Sequence, residues 1–417
     1  MGDMEKSRVH THSQGANTLS DCNSSVIKTK ESTLIPGLPN DVACLCLAFL
    51  PLWQHRRLKS VCRAWNAALS SKFLLDLRQE WGKSEGFLCF FKDDPSLTPG
   101  EVFDPRAELW SLLPPMPCNP YTYGLTNFEC VSAGNGLFVI GGSVFDARSF
   151  PIDRPLPSAR VFRFDAVRYL WERVSDMVVA RGSFACGVRQ ESLYVVGGGS
   201  RHGQFAVGGS RISSAERYDM REDRWHPLEG LRKIRAGCTG FFLGDEFWVM
   251  GGYGHSRTIS GILPVDEYYA DGEVLNIKTG RWRELKTMWE EGDRRQLGRV
   301  AVLRASNGEE SSIFMLENSS IFRYDVNHNR WYKESQLPRT VLAEAACRLV
   351  ALDGELYVIP GGALLRPTDL RHLRRKRGLI VFQIYNPKRG SWRLLPTKPP
   401  LSHPTSIPWG AMCTMRL

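Results

Sequence analysis

The chain has 417 residues, of which 42% are hydrophobic and 24% are charged, and these fractions are ordinary for a globular protein. This length allows two or three average domains, or one large repeat domain with a small companion. No apolar run of eighteen residues and no N-terminal hydrophobic signal segment occurs, so we expect a protein of the cytoplasm or nucleus without a membrane partner.

The net charge of +10 raises the question of a nucleic-acid partner. Much of the excess lies in two short stretches, residues 56–63 and 371–377, and no groove-reading motif accompanies them. Solubility and local contacts are therefore the simpler interpretation, and we predict no nucleic-acid partner. The eleven cysteines are scattered without a CxxC pair, which agrees with a reducing compartment and predicts neither a metal site nor a cofactor.

Residues 1–33 are polar and are predicted to be disordered, whereas residues 34–82 are predicted to form three helices. The first helix begins near Leu38 and ends before Pro51. The second begins at Leu58 and presents apolar residues as far as Leu69 at helical spacing. The third runs from a Ser71 cap to about Trp81. Three short helices bury too little surface to be stable alone, and this module therefore needs a partner or a neighbouring domain.

From Gly86 onward, one short unit recurs six times: an aromatic residue, Asp or Asn, five mostly polar residues, and Trp. The copies are Phe103 to Trp110, Phe164 to Trp171, Tyr218 to Trp225, Leu275 to Trp282, Tyr324 to Trp331 and Tyr385 to Trp392. Leu275 is the only opener that is not aromatic. Each copy predicts a hairpin whose turn needs a left-handed residue, at Glu108, Tyr169, Asp223, Gly280, Asn329 and Gly390.

An apolar strand that ends in paired glycines precedes most copies, and successive Trp residues lie 61, 54, 57, 49 and 61 positions apart. This period is typical of a four-stranded propeller blade, with strands that we denote a to d. The first unit has no a strand, and a lone strand after the Pro-rich stretch 396–408 supplies one. We therefore predict a mainly β, six-bladed propeller closed by the C-terminal strand. Its units cover about 86–113 plus 408–417, 126–177, 181–230, 235–288, 297–337 and 343–396.

These repeats resemble the kelch family, and residues 34–82 resemble the F-box, through Leu38-Pro39, Leu50-Pro51 and the Leu58 to Trp65 stretch. In F-box proteins these helices bind a Skp1-like adaptor and, through it, a cullin and a RING protein. The resemblance implies the following positions for that contact or for the small core beneath it: Leu38, Pro39, Val42, Leu47, Leu50, Leu58, Val61, Cys62 and Trp65. The alternative is a helical cap that packs only against the propeller.

The b–c and d–a connections of a blade emerge on one face of the ring, and the b–c connections of four units are long and different. Such variation on a rigid scaffold predicts a recognition surface. The predicted contacts there are Arg201, His202, Arg211, His255, Arg257, Tyr268, Tyr269, Arg371, Arg374 and Arg375. Arg181, Arg235, Arg299 and Arg339 are predicted at the channel mouth, where they either bind an acidic peptide or brace loops. The basic run 371–377 also fits a nuclear-import signal or a solvated loop.

No motif of a hydrolase, a phosphate-binding loop or a zinc enzyme occurs in the sequence. The resemblance therefore implies a substrate-recognition subunit of an SCF-type E3 ubiquitin ligase, with no catalytic site of its own. The propeller would bind a target protein for ubiquitination. The alternative is a kelch scaffold or a sensor of a small ligand. The pairing of F-box and kelch repeats implies a plant source.

Overall fold

The computed structural model describes residues 33–92, 98–117, 123–146, 156–199, 211–259, 263–290, 292–304, 311–339, 347–360, 380–400 and 409–417. Two compact units divide between Lys83 and Ser84. We call residues 33–83 the helical unit and residues 84–417 the sheet unit. Within the described ranges, no helix has the length and apolarity needed to cross a bilayer.

The helical unit contains four helices: α1 (Asn40–Phe49), α2 (Leu52–Leu58), α3 (Arg63–Leu69) and α4 (Lys72–Glu80). The prediction of one helix from Leu58 to Leu69 is wrong, because a turn at residues 59–62 separates α2 from α3. Cys62 has an extended backbone, with φ −160° and ψ 167°, and its sulfur caps α3 by accepting from the Trp65 N–H. The periodic apolar residues thus belong to two short helices joined by a turn.

The core of the helical unit is a small apolar cluster of Leu47, Leu69, Leu74 and Leu77. Arg78 of α4 is also buried, and its Nη1 donates to the carbonyl oxygens of Ala48 and Leu50, at 2.5 and 2.6 Å. These carbonyls lie at the C-terminal end of α1, where no helical donor reaches them. A charged side chain therefore ties α4 to the end of α1.

Six antiparallel sheets of four strands each make up most of the described part of the sheet unit. In spatial order, the first contains β29 (Trp409–Arg416), β1 (Gly86–Lys92), β2 (Glu101–Asp104) and β3 (Leu109–Leu112). The second contains β5 (Glu129–Ala133), β6 (Gly136–Ile140), β9 (Val161–Asp165) and β10 (Leu170–Val174). The third contains β11 (Ala185–Arg189), β12 (Ser192–Val196), β13 (Ala215–Asp219) and β14 (Arg224–Leu228).

The remaining three sheets follow the same order along the chain. The fourth contains β15 (Thr239–Leu243), β16 (Glu246–Met250), β19 (Gly272–Asn276) and β20 (Arg281–Leu285). The fifth contains β21 (Arg299–Leu303), β22 (Ser312–Glu317), β23 (Ser320–Asp325) and β24 (Arg330–Gln336). The sixth contains β25 (Arg348–Leu352), β26 (Glu355–Ile359), β27 (Ile380–Asn386) and β28 (Ser391–Thr397). The mainly β class with N-terminal helices is confirmed, and we interpret the six sheets as the blades of a propeller.

Two groups of strands are additions that the sequence did not predict. A three-stranded sheet joins β4 (Tyr123–Thr126), β7 (Ser143–Asp146) and β8 (Leu156–Pro157) beside the second blade. A hairpin of β17 (Tyr253–Ile259) and β18 (Leu263–Tyr268) occupies the b–c connection of the fourth blade. The β7 and β8 strands and the β17–β18 hairpin lie in b–c connections that were predicted to be loops, whereas β4 lies in the connection between the first two units.

The six predicted left-handed turn positions are confirmed, with φ values from 49° at Asp223 to 69° at Gly280. In five of the six turns the aspartate or asparagine accepts backbone N–H groups two and three residues later, as Asp165 does from Val167 and Arg168, and in the sixth turn Asn386 accepts from the Arg389 N–H. This local bonding explains why the spacing from aromatic residue to Trp is constant.

The tryptophan of four hairpins also links consecutive blades. The indole N–H of Trp171 donates to the Pro114 carbonyl, that of Trp225 to Ser175, and that of Trp282 to Glu229, each at 2.8 Å. Trp392 reaches the hydroxyl of Ser335 in the same way. The repeated Trp therefore both fills a blade core and fixes the spacing between neighbours.

The first and sixth blades are in contact although they lie at opposite ends of the sheet unit's sequence. Phe90 and Phe103 of the first blade share one buried cluster with Phe382 and Ile384 of the sixth. The predicted pairing of the C-terminal strand with the first blade is present, because β29 pairs with β1 from Gly86↔Arg416 to Lys92↔Trp409.

Candidate functional site

The helical unit has an exposed apolar surface around α1 and the α2–α3 turn. Leu38 is 36% exposed, Val42 39% and Val61 60%. Pro39 and Cys62 are exposed beside them. Exposing large apolar side chains to water costs free energy. A set of such side chains on one small module therefore indicates a surface for a partner.

The other predicted adaptor-binding residues form the core beneath this surface. Leu47 is buried, and Leu50, Leu58 and Trp65 pack against its cluster while remaining partly exposed. The Trp65 indole N–H also donates to the Leu34 carbonyl at 2.6 Å, which holds the segment before α1 against α3. The predicted set thus divides into exposed side chains and the residues that support them.

In the sheet unit, buried arginines fix the bases of two of the long b–c connections. Arg181 has no exposed surface, and its Nη1 donates to the carbonyl oxygens of Gly197 and Ser214, at 2.9 and 2.8 Å. Gly197 precedes the b–c connection of the third blade, and Ser214 ends it. The Nη2 of Arg181 lies 2.5 Å from a carboxylate oxygen of Glu216. Burial lowers the pKa of Arg181, an effect that the Glu216 charge opposes.

Arg235 makes the equivalent contacts in the fourth blade. Its Nη1 donates to the Gly251 carbonyl at 3.0 Å, and its Nη2 lies 2.6 Å from the Asp271 carboxylate. Its Nε lies 3.1 Å from Glu273, which is as buried as Glu216. We call each such group of arginine, carboxylate and loop-end carbonyls an arginine clasp. The clasp holds the two ends of a variable loop at a fixed separation.

Each clasp also explains the paired glycines of the blade before it. The Gly198 N–H donates to the Arg235 carbonyl at 2.7 Å, and a Cβ added at Gly197 would lie 2.4 Å from that oxygen. Gly141 and Gly142 have the same relation to Arg181. Glycine is therefore required where the next blade's a strand approaches.

Arg181 and Arg235 were predicted as candidates for partner contact, and the structure corrects this assignment. Their side chains are buried and their donors face loop carbonyls and acids, so they brace loops, the alternative that the sequence left open. Arg299 is exposed at the start of β21, and with Arg348 it lies near Glu129. Burial raises the pKa of the Glu129 carboxyl to about 7, against the opposing charges of these two arginines.

Arg339 keeps an exposed side chain while its backbone is fixed. Its N–H donates to the Gln383 amide oxygen and its carbonyl accepts from the Gln383 amide nitrogen, both at 2.9 Å. Gln383 stands in the sixth blade where Glu216 and Glu273 stand in theirs, two residues before the residue that opens the hairpin unit. Gln383 thus fixes the backbone at Arg339, before the sixth blade, without a buried charge.

The β17–β18 hairpin brings several predicted contact residues together. The Arg211 guanidinium lies 5.0 Å from the Tyr253 ring centroid, and its Nη1 donates to the Gly254 carbonyl at 2.8 Å. Tyr268 meets Tyr253 edge to face, with ring centroids 5.5 Å apart. His255 is exposed beside them. Arg211 therefore positions the hairpin, while His255 and the partly exposed Tyr268 face solvent.

Two cations near this hairpin were not predicted. The exposed Lys233 lies 2.5 Å from Asp271, and its Nζ is 5.7 Å from the Tyr269 ring centroid. The Arg295 guanidinium is exposed and lies 5.9 Å from the Tyr268 centroid. Arg295 stands four residues before β21, just as Arg181 stands four residues before β11 and Arg235 four residues before β15. This shared spacing was the sequence signal that could have identified Arg295.

Some predicted contacts lie outside the described residues: Arg201, His202, Arg371, Arg374 and Arg375. Arg257 is on β17, but its side chain is also outside the described part of the structure. Among the side chains that the structure describes, no three His, Cys, Asp or Glu residues come together as metal ligands. The candidate site is thus a pair of interaction surfaces, one on each unit.

Comparison with known proteins matches both units. An F-box domain model matches residues 35–76, and a kelch motif model matches residues 180–232. The chain is 44% identical over 412 residues to the F-box/kelch-repeat protein OR23 of Arabidopsis thaliana, covering 92% of each chain. It is 34% identical over 224 residues to the Arabidopsis F-box/kelch-repeat protein SKIP30, covering 52% of this chain and 60% of that protein. It is 28% identical over 285 residues to the Arabidopsis F-box protein AFR, covering 66% and 68%.

Proposed function

Since the chain belongs to the F-box/kelch-repeat family, we propose that it is the substrate-recognition subunit of an SCF-type ubiquitin ligase. The helical unit binds a Skp1-like adaptor, and through it a cullin and a RING protein. The sheet unit binds the protein that is to be ubiquitinated.

The observation that carries this proposal is the exposed apolar surface of the helical unit. Leu38, Val42 and Val61 are each more than a third exposed, although the module has only a small core. Covering such side chains is worth about 25 cal/mol for each Å² of apolar area removed from water. An adaptor that covers this surface therefore stabilises the module at the same time as it binds.

The sheet unit contributes a rigid support for variable loops. The arginine clasps at Arg181 and Arg235 fix the ends of two b–c connections. Solvent-facing side chains near these bases, among them His255, Lys233 and Arg295, are available to a target protein. The subunit then promotes ubiquitination by proximity, since a bound target has a high effective concentration near the charged enzyme of the complex.

Adaptor binding is tested with matched substitutions of exposed valines. The full chain, Val61→Asp and Val326→Asp are each titrated with a purified Skp1-like adaptor in a calorimeter. Val61 and Val326 are 60% and 45% exposed, the first on the helical unit and the second in a turn of the sheet unit. We expect Val61→Asp to abolish measurable binding, because a charge then enters an apolar contact. Val326→Asp should bind like the unsubstituted chain.

A second variant tests the motif itself. Leu38→Ala combined with Pro39→Ala removes two exposed apolar side chains without adding a charge, and we expect binding at least about tenfold weaker. If the unsubstituted chain does not bind the adaptor, the ligase role is refuted, and if Val61→Asp and Val326→Asp bind alike, the α2–α3 turn is not part of the contact. The alternative of a kelch scaffold or small-ligand sensor would then take its place.

A further inference from the structure

Ser60 lies on the exposed turn between α2 and α3, next to the proposed adaptor contact. Its Oγ donates to the Arg57 carbonyl at 2.7 Å, and its N–H donates to the same oxygen at 3.2 Å. The following residues are Val61, which is 60% exposed, and Cys62, which is also exposed. The Ser60 hydroxyl is therefore accessible to an enzyme and adjacent to the apolar surface.

Cations precede Ser60 in the sequence. Arg56 and Arg57 stand four and three residues before it, Lys59 stands directly before it, and both arginines are exposed. The other serines that the structure describes in the helical unit, Ser70 and Ser71, have no Lys or Arg among their five preceding residues. Kinases select substrates partly by such charge patterns, because an acidic substrate groove attracts cations beside the serine. Ser60 is thus the serine of this unit that suits an arginine-directed kinase.

We propose that Ser60 is a phosphorylation site whose modification releases the helical unit from its adaptor. An arginine-directed serine/threonine kinase would transfer the γ-phosphoryl group of ATP to Ser60 Oγ. The bond between the γ-phosphorus and the β–γ bridging oxygen breaks, a phosphorus–Oγ bond forms, ADP leaves, and the serine proton is released. This inference rests on the proposed function, because it assigns a control to the same surface.

Phosphorylation changes the turn in two ways. The ester oxygen has no proton, so the bond from Ser60 Oγ to the Arg57 carbonyl is lost. The phosphate adds a charge of about −1.5 to −2 at pH 7, and it places that charge beside Val61. An adaptor that covers Val61 would have to strip water from the phosphate, which disfavours the complex.

The coupling works in both directions. If the phosphate weakens adaptor binding, the bound adaptor must disfavour phosphorylation by the same factor in affinity. An adaptor that covers the α2–α3 turn also blocks the kinase sterically. Free and assembled receptor would therefore differ in their susceptibility to the kinase.

The first experiment maps the modification on the full chain. The purified protein is incubated with ATP and cyclic-AMP-dependent protein kinase or, separately, calcium/calmodulin-dependent protein kinase, and the phosphate is located by mass spectrometry. We expect phosphate at Ser60, at least about tenfold less after Arg56→Gln combined with Arg57→Gln, and little at Ser60 when the adaptor is already bound. No phosphate at Ser60 with either kinase would overturn the proposal.

The second experiment measures adaptor binding by calorimetry for phosphorylated, Ser60→Glu, Ser60→Ala and Ser60→Thr proteins. We expect the phosphorylated form to bind at least about tenfold more weakly. Ser60→Glu should share part of this loss, and Ser60→Thr should bind normally because it keeps the hydroxyl. Ser60→Ala separates the lost hydrogen bond from the added charge, and we expect a smaller effect.

The outcomes distinguish this proposal from the ligase role. Normal adaptor binding by both the unmodified and the phosphorylated chain would refute the Ser60 switch and leave the ligase role intact. Absence of binding by the unmodified chain would refute both. Equal weakening by Ser60→Ala and by phosphorylation would show that the hydrogen bond alone matters, which contradicts a charge-based release.

Discussion

The indole nitrogen of Trp110 donates to the hydroxyl of Thr397 at 2.6 Å, across 287 positions of sequence. Trp110 belongs to the first blade and Thr397 to the sixth, and the bond is equivalent to those that join consecutive blades elsewhere. Ser132 of the second blade donates to the Thr414 carbonyl of β29 at 2.6 Å. On the other side, Arg348 of the sixth blade donates to the Gly410 carbonyl of β29 at 2.8 Å. The C-terminal strand is thus held by the blades on both sides as well as by its partner β1.

This arrangement predicts that the C-terminal strand contributes substantially to stability. Met415 is 3% exposed and pairs with Phe87, so Met415→Ala should lower the free energy of unfolding by about 2–4 kcal/mol. Thr414→Ala, on the other face of the same strand, should cost less than about 0.5 kcal/mol. Urea denaturation followed by tryptophan fluorescence measures both. Equal effects of the two substitutions would show that the strand is not packed as described.

The arginine clasp predicts a large cost for removing its cation. Arg181→Met leaves Glu216 buried without its cation, and we expect a loss of about 3–5 kcal/mol in the free energy of unfolding. Arg173→Met is the matched control, because Arg173 pairs with Asp176 at the surface and should lose at most about 1 kcal/mol. The same urea denaturation applies. A stable Arg181→Met protein would show that the loop bases need no buried charge.

The paired glycines predict a contrast between two left-handed positions of similar φ. Gly197 has φ 68° and Gly280 has φ 69°, but a Cβ at Gly197 meets the Arg235 carbonyl at 2.4 Å whereas nothing lies within 4 Å at Gly280. Gly280→Ala should cost only the left-handed strain, about 1 kcal/mol. Gly197→Ala should cost at least about 2 kcal/mol more, because a backbone must also move. Similar melting temperatures for the two variants would contradict this reading of the repeat.

The hairpins and the left-handed turn residues could be predicted because they depend on local bonds at constant spacing, as in Asp165 and Tyr169. The β17–β18 hairpin could not, since the b–c connections share neither length nor spacing. The break at Cys62 was missed because the apolar periodicity continues across it.

The role of Arg181 required tertiary information, although one signal was present in the sequence. Glutamate stands two residues before the opening residue of the hairpin unit at Glu216 and Glu273, and an acid at a position that alternates into a blade needs a buried cation. The positive charge of Arg181 had instead suggested contact with an acidic partner. The proposed adaptor surface stays a prediction, and its residues could be selected from the sequence because they follow a motif from Leu38 to Trp65.

His55 of the helical unit is 5% exposed, and its Nε2 lies 3.2 Å from the Leu50 carbonyl oxygen. Burial, reinforced by the positive charge of Arg78, lowers its pKa from 6.5 to about 4. Between pH 6.5 and 4 the unfolded chain binds a proton that the folded chain does not, so stability present above pH 6.5 is lost as the pH falls. At pH 5 the expected loss is about 2 kcal/mol relative to pH 7.

Hydrogen exchange of α1 and α4 peptides in the full chain, corrected for the intrinsic effect of pH, measures this loss. We expect protection to fall between pH 7 and pH 5, and His55→Gln to remove that dependence because glutamine does not titrate. His328→Gln is the control, since His328 is exposed on the sheet unit and bonds only to Asp325 among the described contacts. Undiminished pH dependence in His55→Gln would mean that another group of the helical unit takes up the proton.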